Sequence, residues 1–174
     1  MRTPLKMFAI LSLAASVAAP ASAQFEPSSP DAIASAAADC WTSTGPSSVD
    51  EARLRQLGWA VGSIRSPGGK VVETPLRIYS KRGSSVMLTI LDTPTLTGCA
   101  IISRVAKPID IETTAQLLFS KLKAIDPAVT GGRGSKPGQI LYLSLPRLAE
   151  LSVTGTMKTL GTRIIVGTSS AEKK

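Results

Sequence analysis

The chain has 174 residues, with 20 lysines and arginines against 12 acidic residues, and it contains no histidine. The lack of histidine excludes Ser-His-Asp and Cys-His catalysis, as well as histidine-based zinc and haem sites. The length suits one domain with a substantial core, and no metal or cofactor is expected.

The first 23 residues show the three parts of a cleaved secretory signal. Arg2 and Lys6 form a basic start, an apolar run of about thirteen residues covers 7–19, and Ala21 and Ala23 supply the small residues of a cleavage site. The run is shorter than the roughly 20 apolar residues that a membrane anchor needs. We therefore expect cleavage after Ala23 and a periplasmic or secreted protein without a transmembrane anchor.

The mature chain is basic. Loss of Arg2 and Lys6 leaves 18 basic residues against 12 acidic ones, a net charge of +6. Such a charge attracts anionic partners, which outside the cytoplasm means an envelope protein or an anionic surface. Nucleic acid is not expected, because the basic residues are scattered and not interleaved with aromatic ones. A scattered positive charge is also typical of a solvated surface that binds nothing.

The first half of the chain predicts two helices followed by strands. Residues 24–29 form a flexible start, and Ser29 caps a helix over 30–41. The capping box Ser48-Val49-Asp50-Glu51 predicts a second helix that begins at Ser48 and ends near residue 57. The strands expected after it cover 59–65, 75–80, 85–91 and 99–105, with a hairpin turn at 81–84.

The second half opens with the clearest helix, over 110–125. Its apolar residues recur at spacings of three and four, on one face. A loose glycine-rich loop is expected over 130–138. Three strands follow, and residues 168–174 form a frayed tail. These strands are predicted over 139–145, 150–157 and 162–167.

Consecutive strands that do not alternate with helices predict an α+β domain over 30–167. We expect a mostly antiparallel sheet of about six or seven strands, with two or three helices packed on one face. A helix followed by strands occurs twice along the chain. This order suggests two α-β-β-β halves that share one sheet.

Cys40 and Cys99 are the two cysteines of the chain. In an oxidising compartment, two cysteines in one small domain most often form a disulfide. A redox or metal-binding role is not favoured, because no Cys-x-x-Cys spacing is present to lower a thiol pKa. We therefore expect a structural disulfide that stabilises the fold by about 4 kcal/mol.

Three segments resemble catalytic motifs, and each is incomplete. Ser120 and Lys123 fit Ser-x-x-Lys, but the chain lacks the asparagine-containing and Lys-Thr-Gly elements that accompany it. Asp92-Thr93-Pro94 has proline where the aspartic-protease motif has glycine. The segment 131–136 lacks the spacing of a phosphate-binding P-loop and is not followed by a predicted helix. No catalytic residue is predicted.

Four residues are candidate ligand or anion contacts. Arg133 and Lys136 lie in the glycine-rich loop, where backbone N–H groups add to a weak anion site. Trp41 and Trp59 stand out in a chain with few aromatic residues. A tryptophan beside a disulfide usually packs in the core, and a platform for ligand stacking is the alternative.

The leading hypothesis is a small exported, non-enzymatic binding protein. One alternative is a histidine-independent enzyme that uses carboxylate or Ser/Lys chemistry, and another is a structural subunit of an envelope complex. A carboxylate enzyme requires two acids within about 10 Å in a cleft. An exposed apolar patch of several hundred Å² would favour the subunit. The acids considered are Asp92, Asp110, Glu112, Asp126 and Glu150.

Overall fold

The computed structural model describes residues 26–66, 68–72, 76–154 and 161–169. The predicted signal and its cleavage site lie outside these residues. Within them there are three helices, which are α1 (Pro30–Ser43), α2 (Glu51–Gln56) and α3 (Ile109–Ile125). The strands are β1 (Trp59–Val61), β2 (Ile64–Arg65), β3 (Val71–Val72), β4 (Ile78–Lys81), β5 (Met87–Asp92), β6 (Leu96–Arg104), β7 (Thr130–Arg133), β8 (Ile140–Ser144), β9 (Arg147–Thr154) and β10 (Gly161–Ser169).

Eight of the described strands form one antiparallel sheet, in the spatial order β1-β4-β5-β6-β10-β9-β8-β7. The predicted α+β class is confirmed, with more strands than the six or seven expected. The short β2–β3 ribbon lies between β1 and β4 along the chain. Each half of the chain supplies four neighbouring strands to the sheet, and the halves meet where β6 pairs with β10. Among the described residues, each half therefore contributes four strands to the sheet rather than the three expected, and the first half has two helices, α1 and α2, where the second has one, α3.

One face of the sheet packs against the helices and forms the hydrophobic core with them. The strand register aligns a row of side chains across five neighbouring strands, all of them fully buried. Full burial of one aliphatic side chain of this size is worth about 1.5–3 kcal/mol, so this row is a main source of stability. Its members are Tyr79, Leu88, Ile101, Ile164 and Leu151.

A disulfide fixes α1 to the middle of this face. Cys40 on α1 and Cys99 on β6 are bonded at an S–S distance of 2.07 Å, and both are fully buried. The predicted pairing is thus confirmed. Because β6 is one of the two central strands, the bond ties α1 to the point where the halves of the sheet meet.

The other two helices contact the same face through tyrosines. The Tyr79 hydroxyl on β4 donates to the Glu51 carboxylate on α2. The Tyr142 hydroxyl on β8 donates to the Ala115 carbonyl of α3 at 2.8 Å. All three helices therefore lie on one side of the sheet, as predicted. Among the described residues, no helix combines the length and apolar character needed to cross a bilayer.

The second helix begins later than its capping box predicts. Asp50 is the N-cap, and its carboxylate accepts from the Arg53 N–H at 2.9 Å. The residues before it form a tight loop, in which the Gly45 N–H donates to the Ser48 carbonyl at 2.9 Å. The Asp50 N–H is engaged with the Ser43 carbonyl at 2.7 Å. These two bonds hold Ser48 outside the helix, so it cannot act as the cap.

The segment 130–138 is more ordered than the loose loop that its glycines predict. Its first four residues form β7, the outermost strand, which pairs with β8. A Cβ atom at Gly131 would lie only 3.2–3.3 Å from the rings of Tyr142 and Phe119. The missing side chain therefore lets the strand approach α3 closely, which local composition does not reveal. β10 likewise extends to Ser169, inside the predicted tail.

The opposite face of the sheet is not covered by any described helix. Ile102 of β6 lies on it and is 44% exposed, while Ala100 is 6% exposed. The register places Arg163 and Glu150 on this face as well. The open face is therefore a mixture of apolar and charged side chains.

Candidate functional site

The largest of the grooves described here lies between the start of α3 and the β7–β8 hairpin, with a volume of about 710 Å³. One wall consists of side chains within 108–112, and the other is the hairpin segment 133–140. Val153 of β9 closes the floor. A volume of this size falls within the range of small-molecule and cofactor sites, roughly 300–1,000 Å³.

The hairpin turn has a defined backbone. The Gly134 N–H donates to the Gln139 carbonyl at 2.8 Å, and the Gln139 N–H donates to the Lys136 carbonyl at 3.1 Å. The Gln139 side-chain oxygen also accepts from the Lys136 N–H at 3.1 Å. Gly138 has a φ of 71°, a left-handed conformation that suits glycine. Arg133 and Lys136 are therefore presented from an ordered turn.

These two basic side chains are exposed, and within the described part of the chain neither has a hydrogen-bond or ion-pair partner. Several other cations are engaged, such as Lys81, which lies 3.2 Å from Asp39. Glu112 lines the facing wall and contributes one negative charge. The groove thus has a net charge of +1 and two cations that are free to bind an anion.

Aliphatic side chains also line the groove. Ile111 of α3 and Ile140 of β8 are half-buried, and Val153 of β9 is 38% exposed. The register places Ile140 beside Leu151 on the helix-bearing face of the sheet. Between the start of α3 and the hairpin, this part of the helix-bearing face is exposed in the groove. The site therefore combines an apolar floor with a charged rim, an arrangement that suits an amphipathic ligand.

Arg133 and Lys136, both predicted contacts, line this groove, and the two tryptophans do not. Trp41 is fully buried. Trp59 is 2% exposed and lines a separate groove of about 240 Å³, where its indole N–H donates to Asp39 at 3.0 Å. Both tryptophans are therefore part of the packed core, and Trp41 lies next to the disulfide-bonded Cys40 on α1.

A third groove, of about 340 Å³, contains Asp126, Ser144 and Arg147. A hydrogen bond from the Ser144 hydroxyl, and then one from the Ala128 N–H, hold the pKa of Asp126 below its ordinary value. Asp126 is therefore a carboxylate at neutral pH and cannot supply a proton there. None of the three grooves contains two of the five acids that a carboxylate enzyme would pair, since the first holds only Glu112 of that set.

Comparison with known proteins gives no match to a family model, to a curated protein or to a solved structure. Among the described residues, no group of three or more Cys, Asp and Glu side chains is placed to hold a metal ion. Function is therefore inferred from the geometry of the groove.

Proposed function

We propose that this chain is an exported binding protein that holds an anionic ligand in the groove between the start of α3 and the β7–β8 hairpin. One observation carries the proposal: Arg133 and Lys136 line the groove of about 710 Å³, and their side chains have no partner in the described part of the chain. Hydrogen bonds from cations to an anion are stronger than neutral ones, so two such groups favour a carboxylate or a similar anion.

The buried disulfide supports an exported location. Bonds of this kind persist in oxidising compartments and are rare in the cytoplasm. The basic, apolar and small-residue regions of the first 23 residues agree with export. The net charge of +6 for the mature chain would attract an anionic ligand over long range.

The two alternatives have less support. A histidine-independent enzyme would need paired carboxylates, and the three grooves bring together no two of the five acids considered. Asp31 and Asp39 do share the groove beside Trp59, but Asp31 is paired with Lys121, and Asp39 is bound by Lys81 and Trp59. A structural subunit could use the open sheet face, on which Ile102 is exposed. That face also carries Arg163 and Glu150, and a role for it would leave the charged groove unexplained.

Two double variants with equal loss of charge test the proposal. Calorimetric titration of chain 24–174 with a short oligoglutamate peptide should show binding. Arg133→Gln with Lys136→Gln should weaken it by about tenfold or more, because two charge-assisted bonds are lost. Lys70→Gln with Arg82→Gln removes two exposed cations outside the groove and should change affinity by about twofold at most.

Both double variants should unfold at the wild-type temperature, since all four side chains are exposed. Equal weakening by the two variants would mean that net charge alone attracts the peptide. That result, or the absence of binding to the wild-type chain, would contradict the proposed function.

A further inference from the structure

The edge of the sheet beside the groove is open. β7 is the outermost strand, it pairs on one side only, with β8, and all four of its residues are exposed. Proteins limit pairing at such an edge by keeping the strand very short, by charged side chains, a proline or a bulge, or by a covering element. β7 is short and ends in Arg133, but its other residues carry no charge. Here the middle of the strand is Gly131-Gly132, and no described element pairs with its outer side.

The hydrogen-bond pattern shows which backbone groups face outward. The Gly134 N–H donates across the hairpin to the Gln139 carbonyl, so Gly134 bonds toward β8. Residues in an antiparallel ladder alternate between bonding toward one neighbour and toward the other. Gly132 therefore bonds toward β8, while the N–H and C=O groups of Gly131 and Arg133 point away from the sheet.

We infer that β7 accepts an extended acidic peptide as a further antiparallel or parallel strand, with a carboxylate of the peptide held in the groove by Arg133 and Lys136. This inference rests on the proposed function and names the class of its ligand. Gly131 and Arg133 each offer one donor and one acceptor to the incoming strand. Such main-chain bonds give affinity, and the adjacent groove gives specificity.

Arg133 links the two parts of the site. Its backbone belongs to the free edge, and its side chain lines the groove. A peptide that runs along β7 is therefore led into the groove, where Lys136 supplies a second cation. The outward N–H and C=O groups belong to every second residue of β7 and so repeat about every 6.6–7 Å. The backbone of another strand presents its own donors and acceptors at the same spacing, which a polysaccharide or a lipid head group does not.

Amide hydrogen exchange, measured by NMR on chain 24–174, tests the inference. The probe is a capped peptide of alternating glutamate and valine. Two control peptides have the same sequence and charge. One carries backbone N-methyl groups on its odd-numbered residues and the other on its even-numbered residues, so that each lacks one of the two alternate sets of N–H donors. The amides of Gly131 and Arg133 should exchange about tenfold or more slowly in the complex, while Gly132 changes little. One of the two N-methylated peptides should bind about tenfold or more weakly.

Substitution at Gly132 gives a second measurement. A Cβ atom there meets no atom within 4 Å, so a side chain fits without strain. Gly132→Glu should weaken binding of the acidic peptide, and the nearly isosteric Gly132→Gln should bind more tightly than Gly132→Glu, because only the glutamate repels the ligand.

The outcomes separate the two proposals. Strand addition would be overturned if the Gly131 and Arg133 amides stayed unprotected and both N-methylated peptides bound with equal affinity. If binding still depended on Arg133 and Lys136, the proposed groove site would remain. Tighter binding of a sulfated polysaccharide without amide protection would overturn strand addition too. Binding of the acidic peptide that is unchanged by the Arg133 and Lys136 substitutions would contradict the proposed function itself.

Discussion

Tyr142 is the residue that joins α3 to the half of the sheet bearing the groove. Its hydroxyl donates to the Ala115 carbonyl, and its ring lies 6.0 Å from that of Phe119. The side chain is 3% exposed, and burial raises the pKa of Tyr142 to about 12. The buried phenol therefore stays protonated at pH values where a solvated tyrosine ionises, near 10.

Because the folded pKa is raised, this group stabilises the fold fully below about pH 10 and loses that contribution as pH rises toward about 12. At about pH 8, Tyr142→Phe should cost about 1 kcal/mol, the worth of one hydrogen bond. At about pH 11, the difference from wild type should shrink or reverse, since the variant has no phenol to ionise. Urea unfolding at both pH values measures this. An unchanged difference would contradict the proposed burial of the hydroxyl.

The pairing of β6 with β10 is the central element of the fold, and it depends on glycine. Gly98 of β6 faces Gly167 of β10. A Cβ atom at Gly98 would overlap the Val166 carbonyl oxygen on β10. We therefore expect Gly98→Ala to force the central strands apart and to cost about 3 kcal/mol or more.

Gly132→Ala is the matched control for this prediction, because the same atom added to β7 meets open space. It should change the free energy of unfolding by about 0.5 kcal/mol at most. Urea denaturation of both variants compares the two costs. Similar losses for Gly98→Ala and Gly132→Ala would show that the central strands tolerate a side chain.

Elements with a strong local signal were predictable from the sequence. The periodic helix expected over 110–125 is α3, Ile109–Ile125, and Ser29 caps α1 as expected, through a 3.2 Å bond from the Ala32 N–H. β7 was not predictable. Its glycines indicate a loop locally, and it becomes a strand because Gly131 packs against aromatic rings supplied by α3 and β8.

At the scale of the whole molecule, only part of the groove could be predicted. Composition indicated Arg133 and Lys136, because basic residues in a glycine-rich segment suit anion binding. Glu112 and Val153 are far from that segment along the chain, and they reach the groove only when the sheet forms. No local sequence pattern indicates that these residues come together, so the apolar floor and the facing wall of the groove could not be inferred.

Helix α1 connects the two halves of the molecule. It contacts the central strands of the sheet and packs along α3, and its disulfide closes a sequence separation of 59 residues. Closing a loop of that length stabilises the fold by roughly 4 kcal/mol in the chain-entropy model. The groove therefore stands on a framework that is cross-linked at its centre.

The most direct test of the proposed anion site is NMR chemical-shift mapping, in which oligoglutamate is added to the isotope-labelled 24–174 chain. We predict that the amide shifts cluster in two segments, 108–112 and 133–140, which form the facing walls. Shifts concentrated around Asp126 and Arg147, or scattered over exposed cations such as Lys70 and Arg82, would contradict the assignment of the ligand site to this groove.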